Sequence, residues 1–436
     1  MNLTPWLVGL IVFIHANVVD VGTGAIRRDQ TIVIVNNRIM KVDGGAPPRG
    51  ARVVDLHGAY VIPGLWDMHA HILRNYEQEA RGLLPYGVTG IRHPGNSRLD
   101  TLRSVKLRIS RDSGFLPRLV AAGPLIDGPP PVHPNGSVVL GRAEDAPLIA
   151  DSLLRNGVDF FKIYAHINRE PFFAIAAEAK KRGVRLAGHI PNLITPVEMA
   201  EAGAASIEHM HEFTRGCSSR ETEMGRLRNA GEESADYKAV RIAVMDTLLS
   251  TYDRNKCQRV AAALVKNHTF VTPTLYLWHL FRFQDYEDFV GKRPVPIPEF
   301  TDTVQGRRVF NELIEILHQF SRAGVQYLAG TDAPTAGVVP GISLHRELRT
   351  LVEDAGFTPL QALQSATLNP ARYFAATDSL GSIASGRLAD LVFLSANPLT
   401  DIRNTEKIVG VVMNGYYRDR DALRAMLVQL NRVAPR

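Results

Sequence analysis

Apolar and polar positions alternate along this chain in two textures. At the start, short apolar runs are punctuated by glycine and turn residues, which predicts strands at Leu7–Ala16, Gln30–Asn36, Arg38–Val42 and Val53–Leu56. From Val61 onward, short apolar runs alternate with segments of helical period, the sign of a parallel sheet. The strands predicted there are Val61–Ala70, Val88–Arg92, Arg118–Ala122, Phe160–Tyr164, Arg185–Ile190, Ser206–His209, Thr269–Thr274 and Gln326–Thr331. Between most of them lie predicted helices: Glu77–Tyr86, Asp100–Ser110, Ala146–Asn156, Glu170–Arg182, Thr195–Ala202, Asp236–Asn267 and Thr303–Ala323, with Pro359–Ala376 after the last strand. Eight strand–helix units fit a (β/α)8 barrel. Strand texture returns in Gly381–Tyr417, and a helix is expected over Asp421–Val433.

The reading is an α/β protein with two parts. Residues 61–380 make a (β/α)8 TIM barrel, and residues 1–60 with 381–436 make a small β-sandwich domain from both termini. Two long connections, Glu212–Ser234 and Tyr276–Thr301, follow strands six and seven. Insertions at that end of a barrel border the active face and often act as lids.

Composition narrows the function. The chain has 436 residues, 45% hydrophobic and 22% charged, with a formal net charge of +6. Its basic residues are scattered, as in Arg103, Lys106, Arg108, Arg111 and Arg118, with no dense basic run to suit nucleic acid. The apolar run Trp6–Ile14 is shorter than the roughly 20 residues a membrane span needs, so it reads as a buried strand. A cytoplasmic location is expected, with a trimmed leader in a natural precursor left open. Cys217 and Cys257 lack Cys-x-x-Cys spacing and read as two free thiols, with pairing in an oxidising compartment as the alternative.

The candidate chemistry lies at strand ends. His69 and His71 stand one residue apart, so on a strand they project from one face as half of a metal site. Catalytic groups of a barrel sit at the C-terminal ends of its strands. Strand four supplies Lys162, strand five His189, strand six His209 and strand eight Asp332. Lys162 is flanked by Phe160, Phe161 and Ile163, and a buried ammonium needs a chemical reason. His211 competes with His209, which closes its strand. Tyr164 shares the inward direction of Lys162 and is a candidate donor to a substrate carbonyl. His133 lies in the loop after strand three and His345 in the segment after strand eight; both read as surface residues, with substrate contact the alternative, and His268 falls at the barrel bottom, where a structural role is expected.

These residues and their surroundings carry a resemblance. Val61–His71, Gly87–Thr89, Gly157–Tyr164, Gly183–Pro191, Gly203–His209, Gly330–Ala333, Thr367–Ala371 and Gly381–Pro398 resemble the amidohydrolase superfamily, in its imidazolonepropionase-like and Xaa-Pro dipeptidase (prolidase)-like branch. The resemblance implies a binuclear centre of two divalent ions, zinc foremost. His69, His71 and Asp332 would bind the buried ion, and His189 and His209 the exposed one. Lys162, carboxylated, would bridge the pair.

Two such ions, about 3.5–4 Å apart, would share a hydroxide and polarise a carbonyl. Asp332 would move the proton and Tyr164 would steady the oxyanion. The expected activity is hydrolysis of an amide or peptide-like C–N bond of dipeptide or N-acyl amino acid type. Cyclic amides, lactones, carbamates and mycotoxin-like amides are alternatives on the same centre, and a non-enzymatic binding protein comes last. The expected partners are a small-molecule or dipeptide-like substrate and further copies of the chain in a homo-oligomer. The sequence departs from commoner members at Arg92-His93-Pro94, where many carry Arg-Asp, and at Ile190-Pro191, where no second histidine follows His189.

Overall fold

The computed structural model describes residues 9–73, 76–111, 114, 116–231, 237–283, 303–335 and 337–433. Five strands open the chain: β1 Leu10–Val19, β2 Ile26–Val35, β3 Arg38–Asp43, β4 Arg52–Asp55 and β5 Tyr60–Pro63. The barrel strands are β6 Leu65–Asp67, β7 Val88–His93, β8 Arg118–Ala121, β9 Leu125–Asp127, β10 Ser137–Val139, β11 Phe160–Ile163, β12 Arg185–Gly188, β13 Ala204–Glu208 and β14 Phe270–Thr272. β15 Leu391–Leu394, β16 Ile408–Met413 and β17 Tyr416–Asp419 close the series.

The two termini share one sheet, hydrogen-bonded in the order β17-β16-β15-β5-β1-β2-β3, with β4 beside β1. It is a single continuous sheet of eight strands rather than two separately bonded layers. Its own apolar core includes Phe13, Ile32, Val61, Phe393 and Val412. The rings of Phe13 and Phe393 lie 4.7 Å apart and tie the N-terminal strands to the C-terminal ones.

The predicted strand Val61–Ala70 is two strands. β5 pairs antiparallel with β15 in the terminal sheet, whereas β6 pairs parallel with β7. The chain crosses between sheets at Gly64, where a Cβ would lie 2.1 Å from the Thr89 hydroxyl. Only glycine permits that close approach. The break is hidden in an unbroken apolar run because both halves are buried.

The remaining parallel strands form two arcs, β6-β7-β8 and β10-β9-β11-β12-β13-β14, in a TIM-barrel-type α/β arrangement. The expected eighth strand, Gln326–Thr331, contributes ladder bonds without forming a named strand. Leu328 N–H donates to Val271 on one side, and Met68 N–H donates to Ala329 on the other, both at 2.9 Å. Asp159 N–H donates to Ala121 across the other junction, also at 2.9 Å.

Several helices differ from expectation. Asp236–Asn267 is two helices, Tyr237–Ser250 and Arg254–Lys266, because Asp253 caps the second through Asn255 and Lys256 N–H. Pro359–Ala376 divides into Pro359–Ser365 and Leu368–Tyr373. The connection Glu212–Ser234 contains helices Glu212–Gly216 and Glu221–Gly231. The connection Tyr276–Thr301 begins inside helix Leu275–Phe283, and its remainder, 284–301, lies outside the described residues. Helix Ile342–Glu353 had no counterpart in the sequence reading.

The reading of two free thiols is corrected. Cys217 and Cys257 form a disulfide, and no free cysteine is left. The end of helix Glu212–Gly216 and the start of helix Arg254–Lys266 are held together by a 2.7 Å bond from Asp253 N–H to the Cys217 carbonyl. The two Cα atoms are 4.3 Å apart. Among the described residues, no helix is long and apolar enough to cross a membrane.

Candidate metal centre

His69 lies two residues beyond the end of β6 and is fully buried. Its Nδ1 lies 2.8 Å from Glu208 Oε2. Its Nε2 is buried with no hydrogen-bond partner and lies 3.4 Å from Asp332 Oδ1. The same Asp332 oxygen is 3.3 Å from His71 Nε2, and His71 Nδ1 is 3.1 Å from the Gly95 carbonyl. His189 Nδ1 is 3.2 Å from Glu212, and His209 Nδ1 is 2.9 Å from the Thr274 hydroxyl. All four imidazoles thus have Nδ1 beside an oxygen, the usual way a protein frees Nε2 for a metal.

The rings converge. His69 and His209 are 4.6 Å apart, and His189 and His209 are 4.5 Å apart. One ligand atom each from His69, His209 and Asp332 lies within 4.8 Å of the other two, close enough to hold an ion. His209 and Asp332 both have left-handed backbone, with φ of +66° and +64°. Non-glycine residues held so carry strain that clusters at functional sites.

The electrostatics suit cation binding. Burial lowers His189 to about 4 and His209 well below its ordinary value, so both are neutral at pH 7, the form that can bind a metal. Burial works to raise Asp332, but the neighbouring imidazoles of His69 and His71 outweigh it and hold the carboxyl well below the usual range. Lys162 is 1% exposed, and its Nζ has no hydrogen-bond partner. Burial, aided by Arg92, lowers it to about 8 against the pull of Glu208 and Asp332. An orphaned Nε2, neutral imidazoles, an ionised carboxylate and a lysine that gives up its proton more readily than a free one fit a divalent ion held by nitrogen and oxygen donors.

The structure brings Tyr164 to the same place. Its ring lies 4.4 Å from His189, and its hydroxyl is 3.2 Å from His133 Nε2. Burial raises its pKa, so the hydroxyl stays a donor. His211 sits beside the centre, its ring 5.6 Å from His209 and 5.0 Å from Trp278. His345 is structural, bridging Thr405 and the Tyr86 carbonyl at 2.9 Å each. His93 is buried, with Nδ1 3.0 Å from the Ala70 carbonyl.

Sequence reasoning missed the supports beneath the ligands. Arg92 is fully buried and donates to Met68 O, Ser206 Oγ, Glu208 Oε2 and Thr272 Oγ1. Burial alone would raise Glu208, but Arg92 and Lys162 outweigh it and keep it ionised under His69. On a regular strand, Glu208 and His209 would face opposite sides. The left-handed turn at His209 lets both reach His69. Glu212 plays the equivalent part for His189 and is itself held ionised by Arg228 and His189 against its burial. The available signal was the pair of acids, Glu208 and Glu212, that flanks His209 and His211 in the sequence.

Known proteins place this site in context. An adenine deaminase of Kosmotoga olearia is 40% identical over 80 residues, 18% of this chain and 13% of that protein. An ochratoxinase of Aspergillus niger is 37% identical over 83 residues, 19% of this chain and 16% of that protein. The matches therefore span less than a fifth of these curated relatives' lengths. A solved structure from Bifidobacterium longum, described as a candidate prolidase, has 25% identity and a TM-score of 0.70, covering 97% of this chain and 99% of that one. The profile described as Amidohydrolase family matches residues 165–416. With more than half of its length matched and a prolidase-like structure throughout, this chain belongs to the amidohydrolase family.

Proposed function

We propose that this hydrolase of carbon–nitrogen bonds cleaves an amide of dipeptide or N-acyl amino acid type at a centre of two divalent ions, zinc foremost. His69, His71, His189, His209 and Asp332 would hold the ions, and Lys162, carboxylated, would bridge them. The observation that carries this reading is the buried, unpartnered Nε2 of His69, facing Asp332 amid converging imidazoles. Lys162 adds to it. With a pKa near 8, a useful fraction of this amine is neutral at pH 7, the form that adds carbon dioxide. The carbamate replaces a cation by an anion where cations must be held.

When bound, the ions supply Lewis acidity toward the carbonyl and acidify water. The chain's own groups do the rest. Asp332, kept ionised by His69 and His71, accepts a proton from the attacking water. Water's oxygen bonds to the carbonyl carbon, the C–N bond breaks, and Asp332 returns the proton to the leaving nitrogen. Tyr164, protonated and braced by His133, donates toward the oxyanion.

The likeness to ochratoxinase supports a second reading on the same centre, in which the amide belongs to a toxin. A cyclic amide, lactone or carbamate would use the same groups. The disulfide favours an oxidising compartment over the cytoplasm expected from sequence. The reading includes a small-molecule substrate, no nucleic-acid or membrane partner, and assembly into a homo-oligomer. The test is a screen of zinc-loaded protein against dipeptides, N-acyl amino acids, lactones and cyclic amides. Turnover of an amide that chelation abolishes supports the proposal, and turnover of lactones alone overturns it.

A further inference from the structure

Thr274 lies two residues beyond β14 and directly precedes helix Leu275–Phe283. It is fully buried, and its backbone is left-handed, with φ of +47°. A β-branched residue rarely adopts that conformation. A threonine just before a helix normally turns its hydroxyl onto the helix's own first amides. Here Thr274 Oγ1 lies 2.9 Å from His209 Nδ1 instead. The backbones of the two strand ends are tied as well. His209 N–H donates to Thr272 O at 2.8 Å, and Met210 N–H donates to Pro273 O at 3.0 Å.

The cap that Thr274 gives up comes from elsewhere in the chain. Glu347, on helix Ile342–Glu353, is fully buried. One of its oxygens accepts Leu275 N–H at 3.0 Å and the other accepts Tyr276 N–H at 2.7 Å. These partners are 72 and 71 residues away in sequence. With both oxygens engaged, the carboxyl fixes the two peptide planes after Thr274 and so sustains its left-handed turn. Without that carboxyl, the Thr274 hydroxyl is the nearest group able to satisfy the two amides, and using it so would turn it away from His209.

We infer that Glu347 is a positioning residue for the metal centre. By capping helix Leu275–Phe283 in place of Thr274, it keeps the Thr274 hydroxyl on His209 Nδ1, which leaves Nε2 to face an ion. The inference rests on the metal-centre reading, in which His209 is a ligand. A helix that follows strand eight thus sets the aim of a ligand at the end of strand six. The relay runs from Glu347 through two helix amides to Thr274 and from there to the imidazole.

Zinc affinity, read by chelator competition in a double-mutant cycle, tests the relay. Thr274→Val removes the hydroxyl and keeps the branch, and it should weaken binding of one ion about 10–100-fold. Glu347→Gln leaves one of the two amides facing a donor and should weaken the same ion. The double variant should match the weaker single variant to within about twofold, because both losses act through one contact. Losses that multiply, or unchanged affinity in Glu347→Gln, overturn the positioning role. Where Glu347→Gln does not fold, Glu347→Asp serves the same cycle, since it is one carbon too short to span both amides. Visible absorption of the cobalt-loaded protein is a second readout, one that a loss of packing alone leaves in place. Glu347→Gln should shift the bands toward those of Thr274→Val, and wild-type bands overturn the inference. A wild type that binds no divalent ion overturns the metal-centre reading and this inference together. Ion binding without coupling between the two residues overturns this inference alone.

Discussion

Arg92 and Glu208 form a 2.7 Å ion pair wholly sealed from solvent, and Glu208 in turn holds His69 Nδ1 at 2.8 Å. The pair fixes a metal-ligand candidate from beneath. Glu208→Gln should lower metal affinity roughly 10–100-fold, the usual cost of losing a partner behind a ligand histidine. It should also cost about 3–5 kcal/mol of stability, because Arg92 stays buried without its countercharge. Chelator competition and urea unfolding measure the two effects. Unchanged metal affinity would remove Glu208 from the site.

Tyr164 stands between His133 and His189 with its hydroxyl kept protonated by burial. Tyr164→Phe should reduce kcat by about 100–1,000-fold, the range for loss of one oxyanion donor. KM and metal content should change little. A variant with full kcat would free Tyr164 from any part in turnover.

Glu347 accepts the N–H groups of Leu275 and Tyr276 and so caps helix Leu275–Phe283. Burial raises its pKa from 4.5 to about 8, with Asp67 adding to the rise and the two amides resisting. The folded state therefore holds this proton to a higher pH than the unfolded chain does. The stability it contributes is complete below about 4.5 and is lost as pH rises toward about 8. Across that window the slope is up to about 1.4 kcal/mol per pH unit. Glu347→Gln, neutral at every pH, should flatten the slope in denaturant titrations run from pH 5 to 8. An identical slope in both proteins would contradict the assignment.

The disulfide closes a loop of 40 residues. Chain-entropy arithmetic for that length assigns about 4 kcal/mol. Cys217→Ser with Cys257→Ser should lose stability of that order, and reductant should destabilise wild type but not the double variant. Insensitivity of wild type to reductant under unfolding conditions would argue against the bond.

Much of this was legible in the sequence because barrels place catalytic groups at strand ends. His69, His71, His189, His209 and Asp332 each close or follow a short apolar run, and Lys162 interrupts one near its end, so that rule collected them as candidates. What stayed hidden has local causes. The break at Gly64 lies between two buried segments, so hydrophobicity does not drop there. Gln326–Thr331 bonds to neighbours on both sides without a regular ladder. Glu208 was invisible because a left-handed residue overrides strand alternation. Helix Glu221–Gly231 is mostly polar and small residues, with few apolar ones to set a period. The disulfide depends on two helix ends meeting, which spacing cannot show.

The central claim is that Lys162 bridges two divalent ions, and elemental analysis of Lys162→Ala tests it most directly. Wild type purified without chelator should carry close to two ions per chain. Lys162→Ala should lose at least one of them and most activity, and Lys162→Arg should fail as well because a guanidinium stays cationic. Acetate or propionate should partly restore Lys162→Ala by supplying a carboxylate in the gap. A Lys162→Ala protein that keeps both ions and near-normal turnover would contradict the bridge.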